Sequence, residues 1–405
     1  MTTLFDAASH EPLTTEPWDE GRAAAAIAAI VDDAERAFDA QGLWQIHERD
    51  VDGDEGRALS GLYLGAAGVI WALHELGSQR DFAEVADGLD RRFLDEPDFE
   101  PEKGEAAPGL WMGRSGILAV AERLSPDPVR RDLLLNVLEQ NIGNPTVEVM
   151  WGAPGSLLVA SEMLERTGDP RWADLWNRLA EDVWSGFVED ERLGYRIWTQ
   201  LLYGTVAQYI SPAHGFAGNV AALAARPQLL GPERTAELER EAVRTSTATA
   251  VVDGDLANWQ PLAGESLDGS PGRLRPIRTQ WCHGAPGQVA TLAGVAPHDP
   301  TYTRLLVAGG ELTWRAGPLR KGPGLCHGTA GNGLAFLALH RRTGDQLWLE
   351  RARRFAMHCI EQVEAGRERY GNGWHSLWTG DPGAALYLRS CIDPEARIGI
   401  DLGCW

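Results

Sequence analysis

The sequence is poor in positive charge. Its 37 Lys and Arg residues stand against 58 Asp and Glu residues, which leaves a net charge of −21 at pH 7. Binding to phosphate groups needs a basic surface, so this balance disfavours nucleic acids and anionic membranes as partners. Basic peptides and neutral small molecules remain as candidate partners.

Cysteine and long apolar runs are also scarce. Five cysteines in 405 residues fit a reducing compartment better than a disulfide framework. No apolar run reaches the length of about 18 residues that a membrane span needs, so we expect none. The chain begins Met-Thr-Thr-Leu-Phe-Asp, with no basic segment ahead of an apolar one, and we expect no signal peptide. These absences predict a cytoplasmic protein.

One pattern recurs throughout the chain. The motif Gly-x-x-Gly, followed by an apolar stretch, occurs seven times, and successive first glycines lie 39 to 69 positions apart. The motifs are Gly65–Gly68, Gly113–Gly116, Gly152–Gly155, Gly215–Gly218, Gly284–Gly287, Gly328–Gly331 and Gly380–Gly383. Amphipathic segments between them, such as residues 172–187 and 346–363, predict a second helix in each repeat.

Repeats of two helices predict an all-α protein. Seven α-hairpins can close into an α/α toroid, with an inner ring, an outer ring and all seven turns at one end. An open solenoid is the alternative, but neither the first nor the last motif looks like a polar capping repeat, which favours closure. We predict a mobile N-terminal arm over residues 1–20 and a single toroidal catalytic domain over residues 21–405.

Aligning the repeats on their first glycine places chemically active residues at equivalent positions. Three consecutive repeats have histidine directly before that glycine: His214, His283 and His327. Two of these repeats have cysteine one position earlier, Cys282 and Cys326. Other repeats have Leu, Met, Trp or Thr at the histidine position and Tyr, Trp, Met or Ala at the cysteine position, so the fold itself requires neither residue type. Ring closure would gather the five side chains at the mouth of the toroid.

Thiolate and imidazole are the usual ligands of zinc in proteins. The candidate donors are Cys282, His283, Cys326 and His327. Four protein ligands would make the site structural, whereas three would leave a position open for water or substrate. Neighbouring side chains in a turn diverge, which favours a set of two Cys and one His with an open position. Such soft donors suit zinc, with iron as the alternative.

Three blocks carry a family resemblance. They are residues 213–218, 281–287 and 324–332, read as Ala-His-Gly-Phe-Ala-Gly, Trp-Cys-His-Gly-Ala-Pro-Gly and Gly-Leu-Cys-His-Gly-Thr-Ala-Gly-Asn. The blocks resemble those of the lanthionine synthetase C-like family, which contains bacterial lanthipeptide cyclases and eukaryotic glutathione-binding proteins. The resemblance implies an α/α toroid with one zinc ion bound by Cys282, Cys326 and His327.

The same resemblance implies roles for four further residues. The acid/base histidine of the family falls on His214, and an arginine four positions before the first zinc cysteine falls on Arg278. The acidic residue, an Asp in the cyclases, falls near Glu148. Lys321 resembles the lysine that contacts glutathione in the eukaryotic branch. The sequences of the three blocks are closer to that branch than to the nisin cyclase type.

The chemistry follows from these residue types. A metal with an open position can bind a substrate thiol and lower its pKa. The thiolate adds to the β-carbon of dehydroalanine or dehydrobutyrine, and the enolate that forms needs a proton at its α-carbon. His214 can accept the thiol proton or supply this one. Arg278 or Lys321 could stabilise the enolate oxygen.

We therefore predict a zinc-dependent enzyme that joins a Cys thiol to a dehydroamino acid in a precursor peptide. A separate enzyme would have to dehydrate that peptide, because the chain shows no kinase, lyase or dehydratase signature. One alternative is the addition of glutathione or another small thiol to dehydroamino acids in proteins. A second is a non-catalytic, zinc-containing peptide-binding module, although His214 argues against it. A toroidal glycosidase is more distant, because it needs paired carboxylates and the seven motifs contain only Asp381.

Overall fold

The computed structural model describes residues 4–50, 56–99, 107–264 and 277–395. Within them the chain forms the predicted α/α toroid. Each Gly-x-x-Gly motif opens a helix of the inner ring. These helices are α2 (Ala66–Glu75), α4 (Arg114–Leu124), α6 (Ala153–Thr167), α8 (Phe216–Ala224), α11 (Ala285–Leu292), α13 (Thr329–Thr343) and α15 (Asp381–Ile392).

The outer ring begins its helices differently. Its members are α1 (Glu20–Ala37), α3 (Ala83–Asp95), α5 (Pro128–Glu139), α7 (Pro170–Ser185), α10 (Pro232–Thr249), α12 (Pro300–Ala316) and α14 (Gln346–Tyr370). At α5, α7 and α12 an aspartate side chain accepts a backbone N–H of the first turn, and a proline follows directly. Both features stabilise a helix start. A short α9 (Pro227–Leu230) precedes α10.

The second glycine of each motif is required by close packing. A Cβ atom at Gly287 would lie 1.8 Å from the carbonyl oxygen of Trp281, and one at Gly331 would lie 1.7 Å from that of Leu325. All seven second glycines face the carbonyl oxygen six positions earlier in this way. The loop before each motif therefore folds tightly against the first turn of its inner helix.

The ring closes through contacts between the two ends of the described chain. Each inner helix contacts the next, and α15 contacts α2. The first helix, α1, packs on α15 and so acts as the outer helix of the seventh hairpin. Ile30 and Ala34 of α1 are buried in the core. The prediction of a closed toroid is confirmed.

Three short antiparallel hairpins lie in the connections between repeats, two of them between α7 and α8 and one between α10 and α11. They pair β1 (Val188–Asp190) with β2 (Tyr195–Ile197), β3 (Gln200–Leu202) with β4 (Thr205–Ala207), and β5 (Ala250–Asp253) with β6 (Leu256–Trp259). No helix in the described residues combines the length and apolar character that a bilayer crossing needs.

Residues 4–19, within the predicted N-terminal arm, lie against the toroid. His10 forms an antiparallel bridge with Leu319, and the backbone N–H of Glu11 donates to the carbonyl of Pro318. The Glu11 carboxylate lies 2.8 Å from Nε2 of His358 on α14. The mobility of the arm stays a prediction, and these contacts show where it docks.

Candidate metal centre

A belt of backbone hydrogen bonds connects the turns at the mouth of the toroid. Its members occupy the same position, two residues before the first glycine of their repeats. The backbone N of Cys282 donates to the oxygen of Cys326 at 2.9 Å. The other links run from Cys326 to Trp378, Trp378 to Tyr63, Tyr63 to Trp111 and Trp111 to Met150, at 2.8, 3.2, 3.0 and 3.2 Å. This backbone belt makes the two cysteines direct neighbours.

Three of the four candidate metal donors come together. The ligand atoms of Cys282, Cys326 and His327 all lie within 4.8 Å of one another, and both cysteines are buried. His283 lies outside this metal cluster and against His214, with ring centroids 6.0 Å apart. Burial lowers the pKa of His283 to about 4, and its Nδ1 atom has no hydrogen-bond partner among the described residues.

The environment of the cluster suits a soft divalent metal. A hydrogen bond with Cys326 lowers the pKa of the Cys282 thiol, against the effect of burial, and His327 lowers it further. The amide of Gln280 donates to Cys282 Sγ at 2.8 Å, and Tyr63 lines the same cavity as Cys326. Such outer contacts orient metal ligands. Three donors of this kind match the ligand set of a catalytic zinc site, in which a further position would remain for water or substrate.

The metal cluster opens into a cavity of about 330 Å³. His214, Arg278 and Lys321 line this cavity together with the three cluster residues. The seven residues His214, Arg278, Cys282, His283, Lys321, Cys326 and His327, all candidates from the sequence, therefore line one cavity. Glu148 is the exception, since it does not line the cavity.

Glu148 lies behind His214. Its fully buried carboxylate is 3.2 Å from Nδ1 of His214 and accepts the backbone N–H groups of Met150 and Trp151, at 3.1 and 2.6 Å. A carboxylate at Nδ1 holds the imidazole tautomer that keeps its proton there and leaves Nε2 to exchange protons. The preceding residue, Val147, has a φ of 36°, a strained value for a β-branched side chain.

Comparison with known proteins identifies the family to which this chain belongs. The sequence model described as "Lanthionine synthetase C-like protein" matches residues 56–399, which is most of the chain. The protein belongs to the lanthionine synthetase C-like family.

Relatives and solved structures agree with that membership. The chain is 31% identical to "Glutathione S-transferase LANCL1" of Danio rerio over 217 residues, covering 52% of this chain and 50% of that one. It is 40% identical to "LanC-like protein GCL1" of Arabidopsis thaliana over 99 residues, covering 24% and 23%. The chain thus spans half or less of the length of these curated relatives. The structure of "Nisin cyclase" matches with a TM-score of 0.61 at 18% identity, over 92% of this chain and 94% of that one, which shows a shared fold.

In this lanthionine synthetase C-like protein a second, larger cavity adjoins the first. It has a volume of about 450 Å³ and shares Arg278, Gln280 and Lys321 with the metal-cluster cavity. Arg49 and Arg320 add two further cations, which makes this basic cleft an exception in a chain of net charge −21. Asp6, Ser9 and His10 of the N-terminal arm also line it.

Sequence reasoning missed two residues at these cavities. Arg49 donates to the backbone oxygen of Lys321 and stacks on Trp374, 4.7 Å from the ring centroid. Tyr203 lines the metal-cluster cavity from the β3–β4 hairpin. Both lie outside the repeated motif, so the alignment of repeats holds no signal for either. Tyr63, by contrast, occupies the cysteine position of the first repeat and could have been found there.

Proposed function

We propose that this protein binds one zinc ion through Cys282, Cys326 and His327 and adds a Cys thiol to dehydroalanine or dehydrobutyrine in a peptide. The observation that carries this proposal is the meeting of three soft metal donors, a histidine and two cationic side chains in one cavity. Family membership and the fold shared with the nisin cyclase support it. Bound zinc would supply a Lewis acid that favours the thiolate form of the substrate at neutral pH.

His214 is the residue that moves the proton. The Glu148 carboxylate accepts a hydrogen bond from Nδ1 of His214, so Nε2 of that ring can take the proton that the thiol loses. A bond then forms between the sulfur and the β-carbon, while the π electrons of the alkene move onto the α-carbon and its carbonyl group. His214 returns the proton to the α-carbon. Thiol and alkene are thus converted into one thioether, without a leaving group or an oxidant.

Positive charge stabilises the enolate in this scheme. Arg278 and Lys321 both line the cavity, and either can donate to the enolate oxygen. Three tryptophans, Trp111, Trp281 and Trp378, pack together beside the cysteines, with ring centroids 4.3 to 5.9 Å apart. This rigid apolar packing limits water near the sulfur atoms, where charge interactions are consequently stronger.

A second candidate uses glutathione or another small thiol as the nucleophile. The basic cleft favours it, because its cations face a space continuous with the metal cluster and glutathione carries two carboxylates. The zebrafish relative, described as a glutathione S-transferase, points the same way. The electrophile would then be a dehydroamino acid in a protein. In both candidates a separate dehydratase must make the alkene.

Metal content and thiol addition test the proposal together. Elemental analysis should find about one zinc ion per wild-type chain. Cys282→Ala should lose both zinc and addition, whereas Cys391→Ala, which removes a buried thiol of α15, should keep both. Zinc bound as tightly by Cys282→Ala as by the wild type would contradict the ligand assignment.

Two substrates distinguish between an internal Cys thiol and glutathione as the nucleophile. The first is a peptide with both dehydroalanine and Cys, in which ring closure leaves the mass unchanged but consumes the thiol that maleimide detects. The second has Ser in place of Cys and is offered with glutathione, whose addition raises the mass. Reaction of only the first supports the cyclase, and reaction of only the second supports the small-thiol candidate. Zinc binding without either reaction would favour the non-catalytic module.

A further inference from the structure

The turn of the β3–β4 hairpin has an unusual residue at its tip. Tyr203 and Gly204 form a two-residue turn, and both have positive φ, 52° and 76°. Turns of this kind favour Asn-Gly, because asparagine and glycine tolerate positive φ. A bulky aromatic residue there stores backbone strain, which is found where a side chain has a task.

The contacts of Tyr203 connect it to the proton-transfer residue. Its hydroxyl accepts a hydrogen bond from Nε1 of Trp151 at 3.2 Å, and its ring meets that of His214 edge to face, with centroids 6.0 Å apart. Tyr203 lines the metal-cluster cavity, yet it is 53% exposed. One side chain therefore belongs to both the cavity wall and the outer surface.

The hairpin continues this wall as an apolar surface. Leu201 and Val206 pair directly across the two strands, so their side chains share the outward face, where they are 44% and 40% exposed. The opposite face carries Gln200, Leu202 and Ala207, which are buried. An uncharged strip thus leads from solvent to the cavity in a strongly acidic protein.

We propose that Tyr203, Leu201 and Val206 bind the part of the peptide substrate that flanks its dehydroamino acid and select an apolar side chain there. The inference rests on the proposed function, since it concerns the electrophile that reacts in the cavity. An extended peptide rises about 3.3 Å per residue. The residue one or two positions from the reacting alkene can therefore lie on the hairpin while the alkene faces His214.

The test compares two dehydroalanine peptides that differ only in the flanking residue, Leu in one and Ser in the other, with the same thiol. The wild type should prefer the Leu peptide by about tenfold in kcat/KM, the usual effect of a few buried methylene groups. Val206→Thr keeps the shape but replaces one methyl group with a hydroxyl, and it should lower this preference to about threefold. The control Val252→Thr alters another exposed valine, on β5, and should leave the preference unchanged.

Tyr203→Asn removes the aromatic wall without endangering the hairpin, because it places asparagine before Gly204. It should also reduce the preference, mainly by raising KM for the Leu peptide. An unchanged preference in both Tyr203→Asn and Val206→Thr, with addition still running, would overturn this inference and leave the proposed function standing. A wild type that adds thiol to neither peptide would overturn both. A wild-type dimer that Val206→Thr converts to a monomer would assign the strip to self-association instead.

Discussion

Glu148 serves two neighbours with one carboxylate. It accepts hydrogen bonds from the backbone N–H groups of the turn at Met150 and Trp151, and it accepts another from Nδ1 of His214. An orienting carboxylate behind a histidine affects the rate only through the imidazole, so its removal must be separable from loss of the fold. The conservative change is the amide, which has a single acceptor oxygen for these three donors.

We expect Glu148→Gln to lower kcat for thiol addition by about 100-fold, within the range of general acid–base effects. It should lower the free energy of unfolding by about 1–2 kcal/mol through the lost hydrogen bonds to the turn. Zinc content should not change. Glu148→Asp, which restores the residue type found in the family cyclases, should recover part of the rate. Wild-type kcat in Glu148→Gln would show that His214 works without it.

At the level of the helical hairpin, the Gly-x-x-Gly turn decides where the candidate metal ligands lie. The second glycine lets the preceding loop rest on the helix start, and that loop carries the residue that joins the backbone belt. The motif thus positions chemistry without taking part in it. A single methyl group at this contact would meet backbone atoms, which cannot rotate away.

Gly331→Ala should therefore destabilise the protein by about 3 kcal/mol, the upper range for overpacking. Its turn carries Cys326 and His327, so zinc affinity should fall as well. Gly88→Ala is the matched control: Gly88 is an exposed residue of α3, where an added Cβ atom would meet nothing within 4 Å. That change should raise the free energy of unfolding by about 0.5–1 kcal/mol, because alanine is the better helix former. Urea denaturation would compare the two, and equal midpoints would refute this account of the motif.

At the scale of the whole molecule, an ionic network spans the closure between the first and last helices. Asp33 of α1 lies 3.0 Å from Nε2 of His375 and 3.6 Å from Arg367 of α14. Arg367 also lies 3.4 Å from Asp381, the buried first residue of α15. The network therefore ties together the three helices at which the ring closes.

The two aspartates should respond to pH in opposite directions. Burial raises the pKa of Asp381 from 3.8 to about 6, so the folded state binds this proton more tightly than the unfolded state does. Stability is then lost as pH rises from about 4 to 6, and Asp381→Asn avoids that loss. Relative to the wild type, its free energy of unfolding should gain up to about 3 kcal/mol between pH 4 and pH 7.5.

Asp33 provides the comparison within the same network. A hydrogen bond from His375 lowers the pKa of Asp33, so its contribution to stability is present above pH 3.8 and is lost as the pH falls below that value. Asp33→Asn should thus cost most at neutral pH and least in acid. Urea unfolding at several pH values measures both variants, and parallel curves would contradict the assigned directions.

The repeat was sufficient to predict the toroid and the meeting of the two cysteines. It left the choice between His283 and His327 open, and the family resemblance favoured His327. Cys282 and Cys326 meet because equivalent residues of adjacent repeats are hydrogen-bonded neighbours in the belt. The sequence was not sufficient for α1, since nothing in residues 20–37 shows that the first helix completes the last hairpin. Tyr203 stayed hidden for a similar reason: the path of an inserted hairpin depends on tertiary contacts rather than on a repeated spacing.

The backbone belt also means that the ring can keep its structure while the side chains at its mouth change. Its hydrogen bonds use only main-chain atoms, so cysteine, tyrosine, tryptophan and methionine occupy its positions equally well. Tyr63, Trp111 and Met150 already line the same cavity as the two cysteines. The mouth of the toroid thus offers interchangeable places for side chains, and exchanging their occupants could give the same ring a new reactive centre.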